Sequence, residues 1–343
     1  MQGYEFLFNS PAIEEWCSGA EQNATISMAD LVNQANDTEA SLSLWEYPFP
    51  SLDVLNDACA RVWETRDLTR GLEEGFLAIK DSLRFVLDPI TQPLSWLLDG
   101  ALFLAETVPW WIVIPLILYS TFLISRSAKL VVGVAAAFIG LAFIDHYQQA
   151  MQTLSIIFVC AAICVLLGVP IGIAMSRSDR MQRFVVPILD MLQTLPTFVY
   201  LIPLIFLFSV TESKLYGIAI ILYAIVPVIR LTDLGIRLVD QNVMEAANAF
   251  GMTKRQKLFQ VQVPLALPNI MAGINQTIMM SLAMVVIASL VSAPGLGVLV
   301  LRGIRSLELG VGLVAGFGIV VLAIVLDRVT KSALGRVDSA RKF

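Results

Sequence analysis

The sequence predicts an all-α membrane protein, on three observations. Of its 343 residues 57% are apolar and only 15% charged, with mean hydropathy +0.75, a balance that belongs to polytopic membrane proteins rather than soluble globules. Apolar runs recur between residues 108 and 329, separated by short polar connections. The net charge of −5 is also sharply divided: Met1 to Asp88 holds 16 acidic and 5 basic residues, net −11, and the remainder is net +6. The two parts face different surroundings.

Residues 1–88 begin MQGYEFLFNSPAIEEW, with no basic n-region, sustained apolar core or small-residue cleavage site, and are read as a retained tail rather than a signal peptide. Asp, Glu, Asn and Ser run through Glu46, and Pro48 and Pro50 follow; this composition predicts a loosely ordered segment with short helices at most. Cys17 and Cys59 lie here. A disulfide or two free thiols are both open.

Residues 89–107 place Leu94, Leu97, Leu98, Ala101, Leu102, Leu104 and Ala105 at helical spacing, with Ser95, Asp99 and Glu106 off the stripe, which predicts an amphipathic interfacial helix. Seven spans are then expected, at 108–124, 130–145, 151–175, 185–210, 215–236, 269–292 and 309–329. The first, with Trp110 and Trp111 at its edge, is barely long enough and is expected to borrow its start from the preceding helix. Arg126, Lys129, Arg177, Arg180, Arg183, Arg237, Lys254, Arg255, Lys257, Arg328 and Lys331 fall in connections on one side; the alternate connections carry only Lys214, Arg302 and Arg305. The positive-inside bias puts the carboxyl terminus (337–343) in the cytoplasm and the acidic tail outside.

The polar insert at 237–268, RLVDQNVMEAANAFGMTKRQKLFQVQVPLALP, stands between two apolar segments. Asn242 is expected to cap a first short helix, Glu245 to reach back to the cap, and Gly251 to stop it with a positive φ. Thr253 and Gln256 repeat the capping-box spacing for a second helix, which Pro264 and Pro268 are expected to end. The first helix is apolar on nearly every side (Val243, Met244, Ala246, Ala247, Ala249, Phe250) and too small to bury itself. A plain cytoplasmic loop that is basic for topology is the blander reading. Glu245-Ala246-Ala247, then Gly251, then the exit VPLALP resembles the EAA loop of bacterial ABC importer permeases. SRSDRMQRFVVPILDMLQTLPTFVYLIPLIFLF (176–208), IMAGINQTIMMSLAMVVIASLV (270–291) and LRGIRSLELG (301–310) are similar to the permease subunit of glycine betaine/proline betaine importers, over roughly residues 148–336.

That resemblance implies a five-helix importer permease core at 148–336, preceded by two accessory spans at 108–147, and a homodimer in the bacterial inner membrane. It implies two cytoplasmic ATPase subunits docked on the insert through Met244, Glu245, Ala246, Ala247, Phe250 and Gly251, and an external binding protein that delivers the cargo; Arg302 and Arg305 are assigned to its docking. ATP and Mg belong to the ATPase, and no cofactor, metal or nucleic acid is expected on this chain. Glycine betaine or proline betaine is the implied cargo, with choline, carnitine, trimethylamine N-oxide or dimethylsulfoniopropionate as alternatives.

The residues themselves point to a substrate path. Pro196 and Pro203 break the helical ladder of 192–203, and non-helical backbone at membrane depth is tolerated only where protein buries it or a cavity receives it. Between the two prolines stand Thr197, Phe198 and Tyr200. Asn275, Gln276 and Thr277 form a polar cluster in the 269–292 span, and Met279, Met280 and Met284 add a soft lining. Aromatic faces and neutral amides suit a methylammonium group; helix-to-helix hydrogen bonding between permease subunits is the structural alternative for each of these residues. Arg230 and Asp233 are expected to pair with each other, and Asp190 to cap or pair. Gly168 with Gly172, and Gly312 with Gly316, read as packing surfaces. Cys160 and Cys164 read as core, and His146 as an interfacial polar residue. No G-x-x-x-x-G-K-[ST] occurs, and GVGLVA at 310–315 lacks the strand that a dinucleotide site needs. An ion-coupled transporter or osmotic channel is an alternative, although a secondary transporter needs no such insert, and a membrane scaffold subunit with no transport path is another.

Overall fold

The computed structural model describes Cys17, residues 49–59 and residues 62–339, and the described residues form no strand. The chain divides into two compact units, residues 1–82 and 83–343. In the first unit α1 (Leu52–Ala58) is capped by Ser51, whose hydroxyl accepts from the Val54 N–H. The Thr65 N–H donates to the Asp53 carboxylate over 2.8 Å. Cys17 and Cys59 are joined by a disulfide, which decides between the two readings of those cysteines. The expected loose order of the tail falls mostly on residues outside those described.

The helix expected at 89–107 begins much earlier, as α2 (Thr65–Thr107). Pro89 and Pro93 look like a start signal, yet they sit four residues apart on the exposed side. The carbonyls that their missing N–H groups leave free therefore open away from the bundle, and the helix passes through. Its expected stripe is also half wrong: Leu94, Leu98 and Ala105 are buried, but Leu97 and Leu104 are exposed, and Ser95 is buried. Tertiary contacts select this face. Leu94 and Leu98 lie where a Cβ on Gly217 would fall, the hydroxyls of Ser95 and Ser213 bond over 2.8 Å, and Lys214 donates to Asp88 over 2.7 Å.

Two shorter apolar helices follow, α3 (Trp110–Ser125) and α4 (Ala128–Phe143). α3 follows α2 across a bend of 115° at Val108 and Pro109, and the two qualify as a span only when taken together. The bundle proper comprises α5 (Tyr147–Ser176), α6 (Asp179–Thr194), a 3₁₀ turn (Thr197–Tyr200), α7 (Leu201–Leu207), α8 (Ser213–Arg237), α9 (Gln241–Ala249), a turn and π-helical segment (Lys254–Gln262), α10 (Val263–Ala288), α11 (Leu296–Arg305) and α12 (Leu309–Ser339). Among the described residues four helices are long and apolar enough to cross a membrane: Tyr147–Ser176, Ser213–Arg237, Lys254–Val291 and Leu309–Gly335. Counting the two bent pairs as single spans gives six; α4, with 16 residues, is the seventh expected span and is short of that length.

α8 lies at the centre, against α5 on one side and α10 on the other. A Cβ on Gly168 would come within 2.4 Å of Val228, and one on Gly172 within 2.6 Å of Thr232 and 2.7 Å of the Ile229 carbonyl. On the other side Gly235 leaves room for Asn269, and Gly273 for the Val228 backbone. Of the second expected pair, Gly312 meets Gly303 of α11 rather than acting with Gly316, around which the space is open. Cys160 and Cys164 are buried against the Gly217 and Ile221 carbonyls of α8, as core residues.

Gly172→Ala should therefore destabilise the protein by about 1–3 kcal/mol through overpacking, whereas Gly316→Ala should be neutral. Thermal unfolding of the two detergent-purified variants checks this; equal melting temperatures would refute the tight α5–α8 contact.

Candidate functional site

The insert is built on caps at each joint. Asp240, not Asn242, is the N-cap of α9, its carboxylate accepting from the Asn242 N–H over 2.8 Å. Asp240 stands first in the chain and has the extended ψ a cap needs, which draws Asn242 into the first turn and leaves Glu245 exposed without the reach-back role. The far end is a Schellman stop: Gly251 has φ 72°, its N–H reaches the Asn248 carbonyl, and the Met252 N–H reaches that of Ala247. Thr253 and Gln256 form the expected capping box.

The prolines do not end the second helix of the insert. Lys254 to Val291 is one 38-residue helix, in which a π-helical stretch at Lys257–Gln262 widens the turn ahead of Pro264. Pro264 follows that stretch, whose wider turn makes room for its ring, and Pro268 is carried inside the helix. Leu258 is buried with Ile236, Ala266 and Ile270, so the second arm of the insert belongs to the bundle.

α9 packs on this π segment, and that divides the expected docking residues. Ala247 is only 5% exposed, covered by the chain itself. Met244 is half-buried, and Glu245, Ala246 and Phe250 face outward, with Phe250 87% exposed beside the Gly251 joint. A surface alanine and an aromatic next to a rigid stop make a site another protein can cover.

At the base of α8 the ionic partners differ from those expected. Arg230 bonds to Asp190 at the end of α6, and Asp233 to Arg237 at 2.9 Å and to Gln182 at 2.9 Å. Arg237 also reaches Asp179 at 2.8 Å and the Met175 carbonyl. Residues three apart on one helix are the nearer choice in sequence, but α6 lies alongside α8 and brings its own carboxylates. Both ends of α6 are thus held on α8. Beyond α6 the chain bends by 107° into the 3₁₀ turn and α7. On that turn Pro196 is exposed, Thr197 half-buried and Phe198 58% exposed, while Tyr200 is buried with its hydroxyl unpartnered.

The turn packs against α10, so two of the expected path segments do meet. Asn275 is drawn elsewhere: it donates to Asp327 over 3.2 Å and accepts from the Thr330 hydroxyl, both on α12. Its amide joins two helices of one chain, which is neither the expected path lining nor the alternative of a bond between subunits. Gln276 is exposed, Met279 and Met280 half-buried, and Met284 fully buried. Thr232, Thr277 and Ser281 each carry a buried hydroxyl with no partner among the described residues. Arg302 and Arg305 end α11 exposed, Arg302 at 3.6 Å from Glu308. His146 precedes α5 and bonds through Nδ1 to the Ile144 carbonyl. Sequence reasoning missed Lys214, almost fully buried between Asp88 and Glu212 with the Phe208 ring 5.1 Å from its Nζ. Its one signal was a lysine at the start of an apolar span.

Residues 165–339 match the family model described as "Binding-protein-dependent transport system inner membrane component". The chain is 40% identical over 269 residues to the glycine betaine/proline betaine transport system permease protein ProW of Escherichia coli (strain K12), covering 78% of this chain and 75% of that protein. It is 39% identical over 247 residues to the glycine betaine/carnitine transport permease protein GbuB of Listeria monocytogenes, covering 71% and 87%. The inward-facing MetNI methionine ABC transporter shares the fold, at a TM-score of 0.51 and 19% identity over 56% of this chain and 95% of that one. The chain therefore belongs to the binding-protein-dependent transport system inner membrane component family, the permease subunits of ABC importers, which work with a separate ATPase subunit and a substrate-binding protein.

Proposed function

We propose that this permease carries methylated-amine osmolytes, with glycine betaine or proline betaine as the cargo and choline, carnitine, trimethylamine N-oxide or the sulfonium analogue dimethylsulfoniopropionate as alternatives. The observation that carries the class is the 40% identity, over most of both chains, with a relative named for those two betaines. The exposed Phe198 ring on the broken segment supports it, since a permanently charged, weakly hydrated methylammonium group is drawn to an aromatic face.

The working unit on this reading is a homodimer enclosing the path, with an ATPase beneath each insert and ATP and Mg held by the ATPases. Met244, Glu245, Ala246, Phe250 and Gly251 make the coupling surface, and Ala247 supports it from within. Arg302 and Arg305 serve the binding protein. Phe250 is the anchor, because binding energy at interfaces concentrates in aromatic side chains that lose their exposure. Phe250→Ala should weaken ATPase association by about 2 kcal/mol, roughly thirtyfold, and lower transport in step, with the permease still folded. Co-purification and transport in proteoliposomes measure both; a fully active Phe250→Ala complex would remove the docking assignment.

The acidic tail faces outward and the insert inward. The disulfide in the tail supports this, since disulfides persist outside the reducing cytosol. With Cys160 and Cys164 replaced by Ala, a cysteine at the exposed Glu73 should react with an impermeant thiol reagent on intact cells, and one at Arg255 only after lysis. The reverse pattern would invert the topology.

The path itself binds weakly. It offers Phe198, Thr197 and Gln276 but, among the described residues, no free cation for a betaine carboxylate, so the permease conducts and the external protein selects. Phe198→Ala should slow all methylated cargoes alike. Calorimetry of the purified permease against glycine betaine, choline and trimethylamine N-oxide should show no submicromolar binding; selective tight binding there would move specificity into the membrane.

A further inference from the structure

α4 and α12 leave a long apolar furrow between them. At one end a cavity of about 610 Å³ is lined by Ser127, Lys129, Gly133 and Ala137 on one side and by Val321 and Arg328 on the other. A second cavity of about 890 Å³ continues it and shares Ala137 and Val321. The walls are hydrocarbon along almost the whole length, and the two cations stand together at one end. Both are exposed, and neither has a carboxylate within ion-pair distance among the described residues. Asp327, beside Arg328 in sequence, is bonded to Lys331 and Asn275 instead.

A second feature converges on the same end. Ser127 is the N-cap of the 16-residue α4, and its side chain makes no capping hydrogen bond. The N–H groups of that first turn are thus uncapped, and together with the helix dipole they favour an anion. From Ser127 to Ala137 the helix rises roughly 15 Å at 1.5 Å per residue, about half of a hydrocarbon core of ~30 Å. With α4 along the membrane normal, the first cavity would match one leaflet in depth and its positive end would fall at the headgroup level.

We propose that this furrow is a binding site for an anionic phospholipid, the phosphate held by Lys129, Arg328 and the first turn of α4, and an acyl chain lying along Gly133 and Ala137 against Val321. The site is independent of the cargo. A second copy of the chain fits the furrow poorly: α4 reads AKLVVGVAAAFIGLAF, without a carboxylate, so a twofold contact along it would bring lysines together.

The test uses the full-length permease in detergent, titrated with phosphatidylglycerol or phosphatidylcholine of the same acyl chains and followed by native mass spectrometry. Phosphatidylglycerol should bind at least tenfold more tightly. Lys129→Gln and Arg328→Gln should each reduce that affinity about fivefold and leave phosphatidylcholine binding unchanged. Gly133→Leu, whose side chain enters open space and so leaves the fold intact, should block occupancy by both lipids. Equal affinity for the two lipids would overturn the proposal. So would complete competition by inorganic phosphate, which would mark a free-anion site, or loss of the dimer in Gly133→Leu with phosphatidylglycerol binding unchanged, which would assign the furrow to a second copy.

Discussion

The rest of the bundle depends on how closely α8 is gripped by α5 and α10. Between apolar helices in lipid there is no hydrophobic drive to associate, so dispersion at close approach has to supply the attraction, and only small residues permit that approach. Gly168 and Gly172 let α5 rest on Val228 and Thr232; Gly235 and Gly273 let α10 and α8 exchange a glycine for a larger neighbour in both directions. Because α8 is fixed in this way, its polar end becomes a reference point. Arg230, Asp233 and Arg237 hold α6 by both ends, and the bend beyond α6 fixes the 3₁₀ turn that carries Phe198.

A force applied at the insert has a short route into this arrangement. α9 ends in a rigid stop at Gly251, and the next residues enter the helix that runs to Val291. The π-helical stretch lets Pro264 follow without a break, so the helix that leaves the insert is the same one that packs on α8 and on the 3₁₀ turn. A loop between insert and bundle would absorb displacement. A continuous helix, with Leu258 already in the core, transmits it.

Much of this was legible from residue types whose chemistry is local. Gly251, the Thr253–Gln256 box, the break at Pro196 and the closeness at Gly168 and Gly172 all stem from what a backbone can do at one position. The failures share a different cause. Pro89 reads as a helix start and Pro264 and Pro268 as a helix end, but a proline costs only the hydrogen bond and clash that its surroundings leave unrelieved, and the exposed face at Pro89 and the π turn ahead of Pro264 relieve them. Asp233 was matched with the nearest arginine in sequence, Ser95 was placed outside the buried stripe and Asn275 was placed on the path. For Arg230, Ser95 and Asn275 a neighbouring helix supplied the better partner, α6, α8 and α12 respectively, whereas Asp233 pairs with Arg237 one turn along its own helix and takes only Gln182 from α6. Local periodicity cannot anticipate a partner that only the packing brings near.

The distribution of these partners bears on passage through the membrane. Most charged groups near the base of α8 are spent on one another, Asp190 on Arg230 and both Asp233 and Asp179 on Arg237, and on α12 Asp327 is taken by Lys331 and the Asn275 amide, leaving Arg328 without an ion-pair partner among the described residues. At the other end Lys214 is held between Asp88 and Glu212. Among the described residues, those left unpartnered deep in the bundle include a set of hydroxyls, on Tyr200, Thr232, Thr277 and Ser281. These lie in the packed interior of one chain, where a neutral hydrogen bond would add about 1 kcal/mol net. On the proposed reading the path therefore rests on Phe198, Thr197 and Gln276, and a passage with so few polar groups is the one expected where another protein has already chosen the cargo and the membrane subunit has to let it go.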